Sequence, residues 1–127
     1  MTLPTEEAMC RTFWKQVLQL RAYGKIKKYD IFCISNNQRG NSMIRQAMDK
    51  LLGVERGVSD YHVPGHGYLE AKRITGYRKD GSPIVSKQSE EQVEFQAAIE
   101  AKGLKYALFW TPQQGIDLLA EWLNIRL

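Results

Sequence analysis

The stretch SDYHVPGHGYLEAKR, residues 59–73, gathers two acids, a lysine and two histidines around one proline-glycine turn. Paired carboxylates hold hard divalent cations or share a proton, and an ammonium group beside them stabilises developing negative charge. Successive side chains of a strand point to opposite faces, so Tyr61 and Val63 share one face and Asp60 and His62 the other. In the partner strand, Leu69 and Ala71 oppose Tyr68, Glu70 and Lys72. Matching apolar face to apolar face sets the register, because a one-residue slip would put Leu69 beside Asp60. Asp60, Glu70 and Lys72 are therefore expected on one face, with Asp60 opposite Glu70 and residues 63–67 in the loop.

Directly opposed Cβ atoms in a sheet stand roughly 5 Å apart. At an effective dielectric of about 20, two carboxylates at that distance repel by about 3 kcal/mol. Lys72 offsets part of this and a divalent cation would offset all of it. A raised pKa on one acid, or exposure to screening water, are the other two resolutions. His62 falls on the polar face, where it could contact DNA or a metal but a surface role is the ordinary explanation, and His66 sits in the turn.

A hairpin of this kind needs a scaffold, and the flanking sequence supplies one. Thr5 caps a helix to about Arg21, with Met9, Phe13, Trp14, Val17, Leu18 and Leu20 at helical spacing and Gly24 as its stop. The β-rich run YDIFCIS, residues 29–35, reads as a strand ending in the polar NNQRGN. Asn41 or Ser42 opens a second helix with Met43, Ile44, Met48, Leu51 and Leu52 inward, and Gly53 ends it. The strands of the hairpin span 59–64 and 67–73. A loop follows, punctuated by Gly76 and Asp80-Gly81, with a short extended piece at Ile84-Val85.

SEEQ, residues 89–92, has the form of a capping box for a helix to about Lys102. KYALFW makes a strand at 105–110, and Thr111 with Pro112 starts a last helix carrying Ile116, Leu118, Leu119, Trp122 and Leu123. The expected class is α/β, a mixed β-sheet flanked by helices with element order αβαββαβα, in one domain over residues 1–127.

A chain of 127 residues, 43% hydrophobic and 25% charged, is sized for one globular core, and no disulfide framework is needed. Cys10 and Cys33 lie in apolar-periodic surroundings without a CxxC pair or zinc-spaced histidines, so both are expected as buried thiols of a reducing compartment. No apolar run is long enough to span a membrane, and the first residues, with Glu6 and Glu7, lack the basic and apolar parts of a signal peptide. A cytoplasmic protein is expected. The net charge of +4 is modest but uneven. Lys72, Arg73, Arg78, Lys79 and Lys87 face only Asp80 within residues 72–87, while Glu90, Glu91, Glu94 and Glu100 crowd the next segment. This suits a phosphate-facing loop backed by an acidic helix face, or a basic loop with no partner at all.

The order of motifs resembles a known family. TEEAMC opens a helix; ISNNQRGNSMIRQAMDKLLGVERGVSDYHV resembles an asparagine-containing strand end, a helix and a Gly-x-x-Asp approach to a metal strand. YLEAKR is similar to a Glu-x-Lys strand, and SKQSEEQVEFQAAIEAKGLKYALF to a Ser-x-x-Gln helix followed by a glycine and a strand. Over nearly the whole chain this resembles the PD-(D/E)XK nucleases and, among them, the virus-type replication-repair nuclease (VRR-NUC) domain. Two departures stand out: Ser59 where the family often has proline before its metal-binding Asp, and Cys10 where its first helix often carries glutamine. Neither removes a ligand. The first-helix acid is Glu6 or Glu7, with family spacing favouring Glu6; an acid on a helix surface is the ordinary explanation for both, as capping is for Gln92.

The resemblance implies a restriction-endonuclease-like fold and hydrolysis of a DNA phosphodiester with Mg²⁺ or Mn²⁺. It makes Asp60 and Glu70 metal ligands, adds the backbone carbonyl of Ala71 and an outer Glu6, and gives Lys72 and Gln92 the handling of the attacking water and phosphate. Arg73, Arg78, Lys79 and Lys87, with Asn37 and Arg39, become the DNA-contacting residues. Compact members of the family suggest a structure-selective endonuclease that resolves four-way (Holliday) or other branched DNA as a homodimer, of phage or prophage origin, with LLAEWLNIRL as a candidate dimer surface or simply core. The rival expectations are a non-catalytic DNA-binding or inhibitory module that keeps the fold, and an RNA-directed or restriction-type nuclease.

Overall fold

The computed structural model describes residues 3–34, 51 and 58–127. Helix α1 spans Glu6–Ala22, with the Thr5 hydroxyl accepting from the amide of Ala8 at 3.0 Å. Strand β1 is Phe32–Cys33, β2 Tyr61–Val63 and β3 Gly67–Ala71; β4 is Ile74–Tyr77 and β5 Pro83–Val85. Helix α2 spans Glu90–Ala101, β6 Lys105–Phe109 and α3 Pro112–Leu123. The helix expected from residue 41 or 42 onward, together with Asn37 and Arg39, lies outside the described residues. Leu51, expected on that helix's inner stripe, is 82% exposed.

Among the described residues, a four-stranded sheet runs in the order β1-β2-β3-β6. Strand β2 pairs antiparallel with β1 and β3, whereas β3 and β6 are parallel, so the sheet is mixed and the class is α/β. The β2–β3 register is Tyr61↔Leu69, His62↔Tyr68 and Val63↔Gly67. One step further brings Asp60 abreast of Glu70. The turn is tighter than expected: the amide of His66 donates to Val63 O at 3.0 Å, with Pro64 and Gly65 (φ 79°) between them. That is the geometry in which a type II turn takes Pro then Gly.

Periodicity explains which faces are buried. Met9, Phe13, Val17 and Leu20 of α1 and Ile116, Leu119, Ala120 and Trp122 of α3 pack over Tyr61, Val63, Leu69, Ala71 and Phe109. Phe13 is central, its ring 5.1 Å from Tyr61 and 4.8 Å from Phe109. Leu18, read from the sequence as part of the inward stripe, is exposed because the helical turn carries it outside the arc that Met9, Phe13, Val17 and Leu20 share. The candidate dimer segment contributes Leu119, Ala120 and Trp122 to this core, with Leu118, Leu123 and Ile125 packed against it.

On the opposite face of the sheet lie His62, Tyr68, Glu70 and Tyr106. Helix α2 covers part of it through Phe95, whose ring is 4.9 Å from Tyr68 and 6.3 Å from Tyr106.

Three expectations need correction. The segment read as a loop with a short extended piece at Ile84-Val85 is an antiparallel hairpin, β4–β5, forming a sheet of its own with a bulge between Ile74 and Gly76. The first strand is two residues long, not seven. Cys33 is exposed, because so short a strand at the end of the described sheet gives it little cover, and Cys10, on α1 next to the buried Met9, is only half-buried. No helix among the described residues is long and apolar enough to cross a membrane.

Gly67 is where the parallel pair is closest: a Cβ there would run into the carbonyl of Lys105 on β6. A backbone obstacle cannot swing aside as a side chain can, so Gly67→Ala should cost about 3 kcal/mol, the upper end for overpacking. Urea unfolding would measure it; a loss below about 0.5 kcal/mol, the ordinary level for a surface change, would contradict this packing.

Candidate active site

The sheet face under α2 gathers the charged residues. Glu70, on the central strand β3, is 1% exposed, and Lys72, just past that strand's end, is 5% exposed. Residues two apart on a strand share a face, and here the Lys72 ammonium lies 3.3 Å from Glu70 Oε2. That contact is an ion pair without hydrogen-bond geometry, so the buried Oε2 has no hydrogen-bond donor among the described residues. Asp60 reaches the site from the other side of the hairpin, its Oδ2 accepting from the Ala71 amide at 2.8 Å. Ala71 keeps its methyl in the core and meets the site through its backbone.

Lys72 Nζ donates to Gln92 Oε1 at 2.7 Å and to Lys87 O at 3.3 Å. Gln92 is the third residue of α2, and the same Oε1 accepts from the amide of Ser89 at 2.9 Å while the Ser89 hydroxyl accepts from the Gln92 amide. The capping box is therefore real, and it doubles as the lysine's clamp.

The electrostatics follow from this crowding. Burial and then the neighbouring Asp60 charge push the Glu70 carboxyl up to about 7, against the pull of Lys72. Burial likewise raises Asp60, opposed by the Ala71 amide and Lys72. Glu6, at the start of α1, is raised by burial and by Asp60, with Lys72 and Arg73 acting the other way. Glu6 thus faces the cluster electrostatically, while Glu7 is occupied by an exposed ion pair with Arg11 at 2.7 Å. Of the three resolutions open to the acid pair, raised pKa values are visible and screening by open water is not, since Glu70 is buried.

Three neighbours of Glu70 carry no signal in the sequence. Ser59 is fully buried, its hydroxyl without a hydrogen-bond partner among the described residues. The Tyr106 hydroxyl, on β6, accepts from Gln88 Nε2 at 3.2 Å and faces both Ser59 and Glu70; burial raises its pKa. Gln88 is held in turn by Gln96 at 3.0 Å. Only the parallel pairing of β6 against β3, which sets Tyr106 beside Tyr68, brings Tyr106 here.

Arg73, Arg78, Lys79 and Lys87 are all exposed and lie on or at the base of the β4–β5 hairpin. His62 is engaged with aromatic rings, stacked on Tyr68 at 4.6 Å, and partial burial lowers its pKa.

Among the described residues no three Asp, Glu, His or Cys side chains form a ready-made metal cage. What is present fits a cation that keeps most of its waters: two carboxylates whose ionisation is opposed by burial, one of them with a buried oxygen that accepts no hydrogen bond from the described residues. No protein-family model, no curated protein and no solved structure matches this chain.

A carboxyl whose pKa is raised on folding binds more protons in the folded state, so stability falls as pH rises between its ordinary and its folded value. For Glu70 that window runs from 4.5 to about 7, and the upward shifts of Asp60 and Glu6 act in the same direction. In chelator, the thermal midpoint should decline from pH 5 to pH 8, and Glu70→Gln should flatten much of that decline. An unchanged pH profile in the variant would show that Glu70 is not the group titrating.

Proposed function

We propose that this protein is a metal-dependent, structure-selective DNA endonuclease of the VRR-NUC type, which hydrolyses phosphodiesters in four-way or other branched DNA. The observation that carries the reading is Lys72 beside the buried Glu70 on one strand face, with Asp60 anchored across the hairpin at Ala71. Motif order along the chain supports it, from the first-helix acid through Asp60 and the Glu-x-Lys strand to the Ser-x-x-Gln helix.

Asp60 and Glu70 would hold a Mg²⁺ or Mn²⁺ ion, with the Ala71 carbonyl and Glu6 as further oxygen ligands. When bound, such an ion supplies charge neutralisation at the phosphate and an acidified water. Lys72 places a positive charge at the same face, where it stabilises the negative charge that grows on the phosphate oxygens. Gln92 fixes the direction of that ammonium, and its own amide nitrogen is left to donate to a phosphate oxygen or a water. Arg73, Arg78, Lys79 and Lys87 track the backbone, which makes binding salt-dependent and nearly indifferent to base sequence. A homodimer would present two such sites to opposed strands.

One observation favours a non-catalytic DNA-binding module: Lys72 is already engaged by Gln92, Lys87 and Glu70, as a purely structural lysine would be. The two readings separate on a labelled four-way junction, linear duplex, flap and RNA hairpin, each incubated with Mg²⁺ or with chelator. Cutting should require the metal and prefer branched DNA; equal cutting in chelator rejects the mechanism. Lys72→Ala should bind the junction as the parent does but cleave it roughly 100-fold more slowly. A parent-like rate would remove the lysine from the chemistry. Mg²⁺ should also raise the thermal midpoint at pH 8 in the parent and not in Asp60→Asn.

A further inference from the structure

The β4–β5 hairpin leaves the site at Arg73, directly after Lys72, and returns to it at Lys87, whose carbonyl accepts from the Lys72 ammonium. Its base is fastened: the Ser86 amide donates to Arg73 O at 2.9 Å, and Ile74 is buried. Its tip is built as well. Arg78 N donates to Ser82 O at 2.8 Å, and the Asp80 carboxylate accepts from the Ser82 amide and hydroxyl at 2.9 and 2.6 Å. Between base and tip, no described helix or strand packs on the hairpin to the extent that its strands pack on each other.

Yet this ribbon carries large apolar groups. Tyr77 is 57% exposed and Ile84 39%. Tyr77 pairs with Pro83 and Gly76 with Ile84, and directly opposed residues share a face, so the Tyr77 ring and the Ile84 side chain stand on opposite sides of the ribbon. Around them are Arg73, Arg78, Lys79 and Lys87, against Asp80 alone, whose carboxylate is committed to the turn. An exposed ring among cations matches a polyanion that also offers flat π faces, which is a nucleic acid with an accessible base. A continuous duplex stacks its bases on one another and offers only edges and phosphates. A branch point exposes the face of a base or terminal pair.

We propose that the β4–β5 hairpin is the branch-sensing arm of the protein: Tyr77 stacks on a base uncovered at a DNA branch while the flanking cations hold phosphates. This rests on the nuclease reading above and names the part that selects its substrate. The test uses a four-way junction with a fluorescent adenine analogue at the branch, and a linear duplex, both in Ca²⁺ to permit binding without cutting. The parent should alter the analogue's emission on binding. Tyr77→Ala should abolish that change and weaken junction binding about fivefold, the low end for one base–aromatic stack, with duplex affinity nearly unchanged. Tyr77→Phe should restore both, and thermal midpoints should show all three proteins folded.

Parent-like emission and affinity in Tyr77→Ala overturn the arm and leave the nuclease standing. A Tyr77-dependent signal from a parent that cuts nothing in Mg²⁺ overturns the nuclease and leaves the arm. A parent that binds neither DNA overturns both.

Discussion

Everything at this site depends on keeping an ammonium and a carboxylate out of water on the central strand of a sheet. Glu70 and Lys72 are almost wholly buried, so both polar heads are removed from bulk water, and burial disfavours the ionised form of Glu70. Their separation of 3.3 Å and the acceptors on Gln92 and Lys87 recover part of the lost hydration. The recovery is incomplete: Oε2 accepts no hydrogen bond from the described residues, and burial displaces the Glu70 pKa upward. A well-packed apolar pair in the same place would often be as stable or more so. Stability alone therefore gives no reason for these two residues.

The fold supplies what that arrangement demands. Strand β3 is flanked on both sides, by β2 and β6, so its backbone has little freedom and the Glu70 side chain is aimed by the sheet. One face of that sheet carries the aromatic core around Phe13, Tyr61 and Phe109; the other faces α2. Sites built on paired strands hold their geometry more closely than sites on loops. Gln92 extends this rigidity to the helix, because one amide oxygen caps α2 and grips Lys72 together.

Much of this was legible in the chain because it rests on short-range rules. Alternation in YHV and YLEAKR told which residues share a face, and an acid at position 60 or a leucine at 69 leaves only one acceptable register. The Ser89–Gln92 box is local in the same sense. The β4–β5 hairpin was not legible as strands, since ITGY carries a glycine and a bulge that break the period of two, and proline begins the short β5. Tyr106 reaches Glu70 only through the parallel closure of β6 on β3, a pairing between segments far apart in sequence that no local pattern encodes. Cys33 looked buried because its neighbours are apolar, but a two-residue strand at the edge of the sheet gives it no cover.

The path of the chain between Lys72 and Gln92 adds a final constraint. It leaves the site, forms an exposed ribbon, and comes back so that Lys87 and then Gln92 close on the same ammonium. Residues 73–88 are thus one excursion tied at both ends to Lys72, by the covalent chain on one side and by a hydrogen bond on the other. Among the described residues, no helix or strand packs on the ribbon as extensively as its two strands pack on each other, so these two ties are its main connection to the site. Three contacts therefore share that one ammonium, from Lys87, Gln92 and Glu70.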